Sequence, residues 1–447
     1  MTTGPGKSAW YGWFPACFEF APCRHPYPQW RAACVAAAAL FAATTAWCQD
    51  SVTETPLLGT QDVTGVGMTG RLFDNIRRAQ QRELLHQGFS DIYTDYTKWK
   101  NQFETETNIQ FAMDLSLLEQ WGFSGGGSPA LQLYAAPSVD WTVFKQKDWG
   151  TGSIHLAYDA VPHYPTAQSA ADLQSKLGLI TPINDYPTRT MNFAELTYTQ
   201  ATPDNKWSLT AGQYPLADFD DNAYLGNQQQ NFNNYLFAQN GSQTYLITGL
   251  GAYVQFNATS TWQLASGFQG TNNVRGQTIS GKGFDSDCCA WFGYAQWTPH
   301  FPGLGSARYS FSYFETPGIP AQGASRGWSV NAVQNLNNTW ALFARANGAN
   351  GYVTQIKRSY ALGVAMNDPL QRSSTDQIAL AVGLSDAASP PTNPQNARNE
   401  KAIEAYWTRT LVGGLLLTPS IQVIFDPALN PSKSSVLILS LRTTFAF

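Results

Sequence analysis

Charge is scarce in this chain. Only 13% of its 447 residues are Asp, Glu, Lys or Arg, against about a quarter in an ordinary soluble domain. The length would allow two or three soluble domains or one large barrel, but a soluble surface of this size needs more charge. Long apolar runs are missing too. Past the N-terminus no stretch approaches the eighteen or so residues of a membrane-spanning helix, and mean hydropathy is below zero. If the chain crosses a membrane, it does so with strands closed into a barrel, because only helices and closed barrels satisfy every backbone group in lipid.

Cysteine and histidine are too few and too scattered to build much chemistry. Of the six cysteines, Cys17, Cys23, Cys34 and Cys48 lie in or before an export segment, which leaves the adjacent Cys288 and Cys289. That pair matches no zinc spacing and sits among Gly283, Asp285 and Asp287 in a loop, as two cysteines of no special role or as a vicinal disulfide. Beyond residue 48 the histidines are His86, His155, His163 and His300, read as spread among helix and loops, and no HExxH occurs. GxSxG appears at residues 122–126 (GFSGG) and 323–327 (GASRG). Neither lies between a strand and a helix as a nucleophile elbow requires, so both are chance matches among 37 glycines. Asp218, Asp220 and Asp221 offer carboxylate density for calcium, but without EF-hand spacing the expected role is a hydrogen-bonded loop anchor. The expectation is a protein that is not an enzyme and carries no cofactor or metal.

Residues 32–47 (AACVAAAALFAATTAW), preceded by Arg24 and Arg31 and followed by Gln49 and Asp50, read as a Sec signal. Ala46 and Cys48 stand where small residues precede a cleavage site, so residues 1–48 are expected to be removed. Trp47 argues against lipoprotein processing, and the long stretch before Arg24 suggests an over-extended start. Removal takes away Lys7, Arg24, Arg31 and Glu19, leaving 24 basic and 30 acidic residues, a net charge of about −6 with no nucleic-acid footprint. Residues 49–106 form an expected N-terminal periplasmic segment. Within it Leu72, Ile76, Ala79 and Leu84 predict a helix over 70–88 that Gly88 stops. Its Arg71, Arg77, Arg78 and Arg82 read as a solvated face, the alternatives being a lipid contact, a plug or an anion selector. Residues 91–104 (DIYTDYTKWKNQFE) read as the approach to the barrel.

From Asn108 onward the texture is period-two alternation. Ile109, Phe111, Met113, Leu115 and Leu117 oppose Gln110, Asp114 and Ser116; Ala307, Tyr309, Phe311 and Tyr313 oppose Arg308, Ser310 and Ser312. At the C-terminus Leu437, Leu439, Leu441, Thr443, Phe445 and Phe447 oppose Ile438, Ser440, Arg442 and Thr444. A soluble sandwich would bury Arg442 or expose the leucines, whereas a membrane barrel needs apolar residues outside and polar ones inside. Roughly sixteen such segments, at about 21 residues each, suit spans of 9 to 11 residues plus turns and loops. The expected fold is all-β, a transmembrane antiparallel barrel of about sixteen strands over 107–447, with the short helical segment before it. A soluble solenoid or pair of sandwiches is the alternative. Residues 124–128, 215–240, 272–287 and 386–399 are the candidate extracellular loops, of which one or more folds inward to narrow a pore.

Residues 212–234 (GQYPLADFDDNAYLGNQQQNFNN) resemble the Gly, Asp-Phe-Asp and Asn pattern of OprB-type carbohydrate-selective porins. Residues 294–305 (YAQWTPHFPGLG), 325–348 (SRGWSVNAVQNLNNTWALFARANG) and 399–431 (NEKAIEAYWTRTLVGGLLLTPSIQVIFDPALNP) follow in that family's order. The resemblance covers most of residues 105–447. It departs at the N-terminus, where the family's Gly-Asp-Trp-Gly-Gly-x-Arg stretch is absent and only residues 82–89 (RELLHQGF) look like the segment after it. What the resemblance implies is a sixteen-stranded channel in the bacterial outer membrane that passes glucose and other small sugars by diffusion. Its implied partners are small sugars, outer-membrane lipid and the barrel-assembly machinery, the last through C-terminal Phe447. Strand alternation puts Glu195, Arg308, Arg345, Glu404 and Arg442 on the lumen face as pathway candidates, with Tyr406 as a nearby aromatic. Alternatively these charges pair across the wall and hold its shape, since a charge facing lipid costs about 2–4 kcal/mol at mid-membrane. Two other functions stay open: a less selective porin for small anions or hydroxy-acids, and a glycan-binding or polysaccharide-export barrel.

Overall fold

The computed structural model describes residues 90–447 except 124, 163–166, 187–189, 221, 227, 230, 246, 272–278, 280–288, 319–322, 353–354, 374, 389–397, 413 and 447. The expected signal segment, the helix over 70–88, Asp221, Cys288 and Phe447 lie outside the described residues.

The stretch read as an approach to the barrel is helix α1, Ser90–Thr107. Tyr96, Trp99 and Phe103 recur at helical spacing. Trp99 and Phe103 both bring their rings 5.9 Å from Phe111 at the start of the barrel, and Lys100 lies 5.1 Å from the same ring. Aromatic residues favour strands in general, so this stripe blends into the β-rich texture unless its spacing is counted. Asn108 ends the helix in the left-handed region at φ 56, a conformation asparagine tolerates better than most residues.

Sixteen strands form the wall. They are β1 Ile109–Gly122, β2 Ala130–Gln146, β3 Gly150–Val161, β4 Thr190–Ala201, β5 Trp207–Tyr214, β6 Gly249–Asn257, β7 Trp262–Gly270 and β8 Cys289–Trp297. The second half comprises β9 Gly305–Thr316, β10 Ser325–Asn335, β11 Trp340–Gly351, β12 Ile356–Asn367, β13 Gln377–Ala387, β14 Glu400–Val412, β15 Leu415–Phe425 and β16 Ser435–Ala446. A two-residue strand, His300–Phe301, sits in the β8–β9 turn. Each strand pairs antiparallel with the next, and β16 pairs with β1, Leu118 opposite Arg442, which closes the barrel.

The burial pattern is inside out. On β13 Ile378, Leu380 and Val382 are exposed while Ala379 and Ala381 are buried, and on β16 exposed Leu441 precedes fully buried Arg442. Apolar outside and polar inside is the pattern of a transmembrane barrel. At the end that carries the short turns, Trp207 stacks on Phe256 at 4.2 Å and Trp262 on Trp297 at 5.7 Å, an aromatic girdle. Toward the other end the outer wall becomes charged: Glu315 faces Arg326 and Arg358 faces Asp386 in register, and Lys401 pairs with Asp426 at 3.0 Å.

Two connections at the long-loop end turn into the barrel. The β3–β4 connection, absent from the expected loops, holds helix α2, Ala170–Leu177. Ser169 and Asp172 cap it reciprocally, and Gly178 stops it at φ 76, where a Cβ would also lie 2.5 Å from that of Asn430. The β5–β6 connection carries a 3-10 turn, Leu216–Asp220, and the short helix α3, Tyr235–Ala238. A Cβ on Gly383 of β13 would sit 2.7 Å from Leu236 and 2.9 Å from Phe237, so the glycine lets α3 seat against the wall. The core therefore lies within the barrel. Leu173, Leu177, Ile183, Phe232, Leu236 and Phe237 pack against Phe343 and Tyr406 of the wall, and Phe219 packs among Tyr214, Tyr253, Phe292 and Tyr294.

Candidate functional site

A chain segment folded into a lumen has no ladder of its own, so its backbone N–H and C=O groups need partners. Charged side chains of the wall supply them. Glu404 of β14 accepts the backbone N–H groups of Asn233 and Asn234 on its two oxygens, both at 2.9 Å. Arg442 of β16 donates to the carbonyl of Asn231 at 3.0 Å, to the side chain of Asn233 at 2.8 Å and to the carbonyl of Gln228. Arg345 of β11 donates to Asn331 at 2.9 Å, to the carbonyl of Asp220 at 3.1 Å and to that of Leu225. Its guanidinium also lies 3.9 Å from the Asp220 carboxylate. The Tyr406 hydroxyl accepts from Asn231 at 3.2 Å, and its ring meets Phe232 edge-on at 4.7 Å.

Four of the six lumen candidates, Arg345, Glu404, Tyr406 and Arg442, thus converge on one segment, residues 220–234. They grip its backbone and amides instead of spanning the wall to one another. The other two stand apart from this set. Glu195 is buried on β4 and accepts from Thr197 at 2.9 Å, and Arg308, half-buried on β9, donates to Gln296 at 2.8 Å. Asp220 is an anchor as well, accepting from Asn331 at 2.7 Å.

Sequence reasoning passed over Glu400. It holds the other inward segment, accepting N–H groups from Ile180, Thr181 and Ala428 at 2.9 Å each. Glu400 and Glu404 are four residues apart on one strand and so share a face; that spacing was readable in NEKAIEAYW. The amides of Gln120 and Gln422 both donate to the carbonyl of Ile183 at 3.1 Å, from opposite sides of the closure.

His155 is a strand residue of β3, not a loop residue as expected. Its Nδ1 lies 2.9 Å from Asp140 and its Nε2 3.1 Å from Ser153 Oγ, the order of an acid, imidazole and hydroxyl relay. Ser153 is fully buried, so no carbonyl carbon reaches its oxygen and the chain of bonds braces β2 against β3. Of the GxSxG matches, Ser124 lies outside the described residues and Ser325 opens β10, bonded to Thr244 at 2.9 Å.

The sequence profile described as carbohydrate-selective porin, OprB family, matches residues 292–447. Porin AaxA of Chlamydia abortus is 32% identical over 360 residues, covering 78% of this chain and 80% of that protein. The chain belongs to the OprB family of porins. Porin AaxA of Chlamydia pneumoniae is likewise 32% identical, over 354 residues that cover 77% of this chain and 80% of that protein. The high-pH structure of Pseudomonas putida OprB superposes with a TM-score of 0.64 over 79% of this chain and 97% of that one. At 14% identity that likeness speaks for the fold alone.

On the inward segments of this OprB-family porin, Asp185 is an acid shifted upward from its ordinary range. Burial pushes the Asp185 carboxyl up to about 7; the Asp159 carboxylate adds to the shift, while the Gln239 amide and the Arg345 guanidinium hold it back. A raised acid loses its proton as pH climbs through that value, adding negative charge to the lumen. Reversal potentials in a KCl gradient should therefore show potassium preference rising between about pH 6 and pH 8. In Asp185→Asn the rise over the same range should be smaller than in the wild type.

Proposed function

We propose that this chain is an outer-membrane porin for the passive diffusion of small carbohydrates such as glucose, and that it is not an enzyme. Membership of a family described as carbohydrate-selective carries the reading, and the lumen chemistry supports it. Neutral sugars present hydroxyl edges and apolar CH faces, which suit amides, carboxylates and aromatic rings in a water-filled lumen.

The same reading divides the chain into a signal peptide over 1–48, a periplasmic segment over 49–106 and a barrel over 107–447. The short-turn end then faces the periplasm, the apolar wall faces outer-membrane lipid, and Phe447 serves the assembly machinery. Purified protein in liposomes should give faster osmotic swelling with glucose than with gluconate. Equal rates would move the assignment to a general porin, and glycan binding without single-channel current would move it to a binding or export barrel.

A further inference from the structure

Arg345, Glu404 and Arg442 are buried behind the inward segments, so at this level the segments themselves supply surface to the passing solute. Across residues 231–245 every side chain is buried except Tyr235, Gln239 and Gln243, which recur at intervals of four. Across 177–186 the exceptions are Pro182, Asp185 and Tyr186. These two sets form one line. The Tyr235 N–H donates to the Pro182 carbonyl at 3.1 Å, and Gln239 Nε2 donates to Asp185 at 3.1 Å. The Gln239 N–H donates to the Tyr235 carbonyl at 2.9 Å, which keeps both on one side of α3, and the Tyr235 hydroxyl donates to Gln243 at 3.3 Å. Tyr186 is backed by Tyr134 of β2, ring centres 5.1 Å apart.

We propose that this line is a carbohydrate subsite, with Tyr186 and Tyr235 as platforms for the CH faces of a sugar and Asp185, Gln239 and Gln243 as partners for its hydroxyls. Within these two windows, about fifty residues apart in sequence, the side chains that are not fully buried meet at one shared edge, as the lining of a water-filled path requires. Phenol rings beside amide and carboxylate groups match the alternation of apolar and hydroxyl surface on a pyranose. The inference rests on the carbohydrate reading above.

Glucose titrated onto single channels in KCl supplies the test. Wild-type current should fall as glucose occupies the line. With both tyrosines replaced by Leu, half-block should need about tenfold more glucose, the effect of losing about 1.4 kcal/mol of stacking, while conductance without sugar stays within about twofold. Gln239→Ala, a milder change, should need about three- to tenfold more, as for one lost hydrogen bond. Heat-modifiable migration on gels checks that each barrel is folded. Folded Gln239→Ala and Leu variants that block at the wild-type glucose concentration would overturn the subsite and leave the porin reading intact. A wild-type channel with neither glucose block nor glucose-driven swelling would overturn the carbohydrate reading itself.

Discussion

Replacing Glu404 with Ala is expected to loosen the β5–β6 segment from the wall and raise single-channel conductance at least about twofold, with a loss of preference among sugars. The carboxylate accepts two successive backbone N–H groups of the inward segment, and hydrogen bonds to a charged group contribute about 1.5–3 kcal/mol each. Without it, two buried N–H groups lose their partner, which disfavours the folded-in state further. Glu404→Gln retains an acceptor oxygen and should fall between wild type and Ala. Arg442→Ala removes the partner of the carbonyls just before them. Because both side chains hold the same segment, the double variant should fall short of the sum of the two single effects. Conductance histograms in planar bilayers give the readout. A distribution unchanged in Glu404→Ala would mean that the remaining contacts alone keep the segment in place.

Leu441→Arg should prevent or severely weaken assembly of the barrel, although the chain already carries arginine one position later. Leu441 is 37% exposed on the outer face, whereas Arg442 is fully buried on the inner one. An arginine facing lipid near the middle of the span costs about 2–4 kcal/mol, a large part of the stability of a typical fold. The measurement is a urea titration of refolding into vesicles, following the heat-modifiable band. A midpoint equal to that of wild type would place residue 441 away from lipid and reverse the face assignment of β16.

Much of the fold was legible because its cause is local. Alternation is a property of successive residues, so the strands could be placed, and the parity of Leu441 and Arg442 already named their faces. The connections were harder. Residues 215–240 looked like a loop because Asn, Gln and Gly dominate, and the same composition serves a segment lying in solvent or one filling a lumen. Those asparagines are what pair with Glu404, Arg442 and Gln422. The β3–β4 connection went unremarked because α2 is short, and its apolar residues find partners only across the barrel. Helix α1 was concealed by aromatic residues that fit a strand equally well. For the lumen, alternation named wall charges but not their partners, since inward-pointing states only a direction.

By itself, then, the sequence determined a closed barrel of about sixteen strands, an inward face for charges such as Arg345, Glu404 and Arg442, and the family. Period-two patterning and the cost of a charge in lipid act along every strand separately and need no knowledge of what lies across the lumen. Tertiary structure alone decided which connections turn inward, that Glu400, Glu404, Arg345 and Arg442 hold them there, and which side chains remain open to water. Those facts depend on contacts between residues far apart in sequence, such as Glu400 with Ile180, 220 positions away, and Gln422 with Ile183, 239 positions away. Closure of the barrel brings such residues together, and no local pattern encodes the meeting.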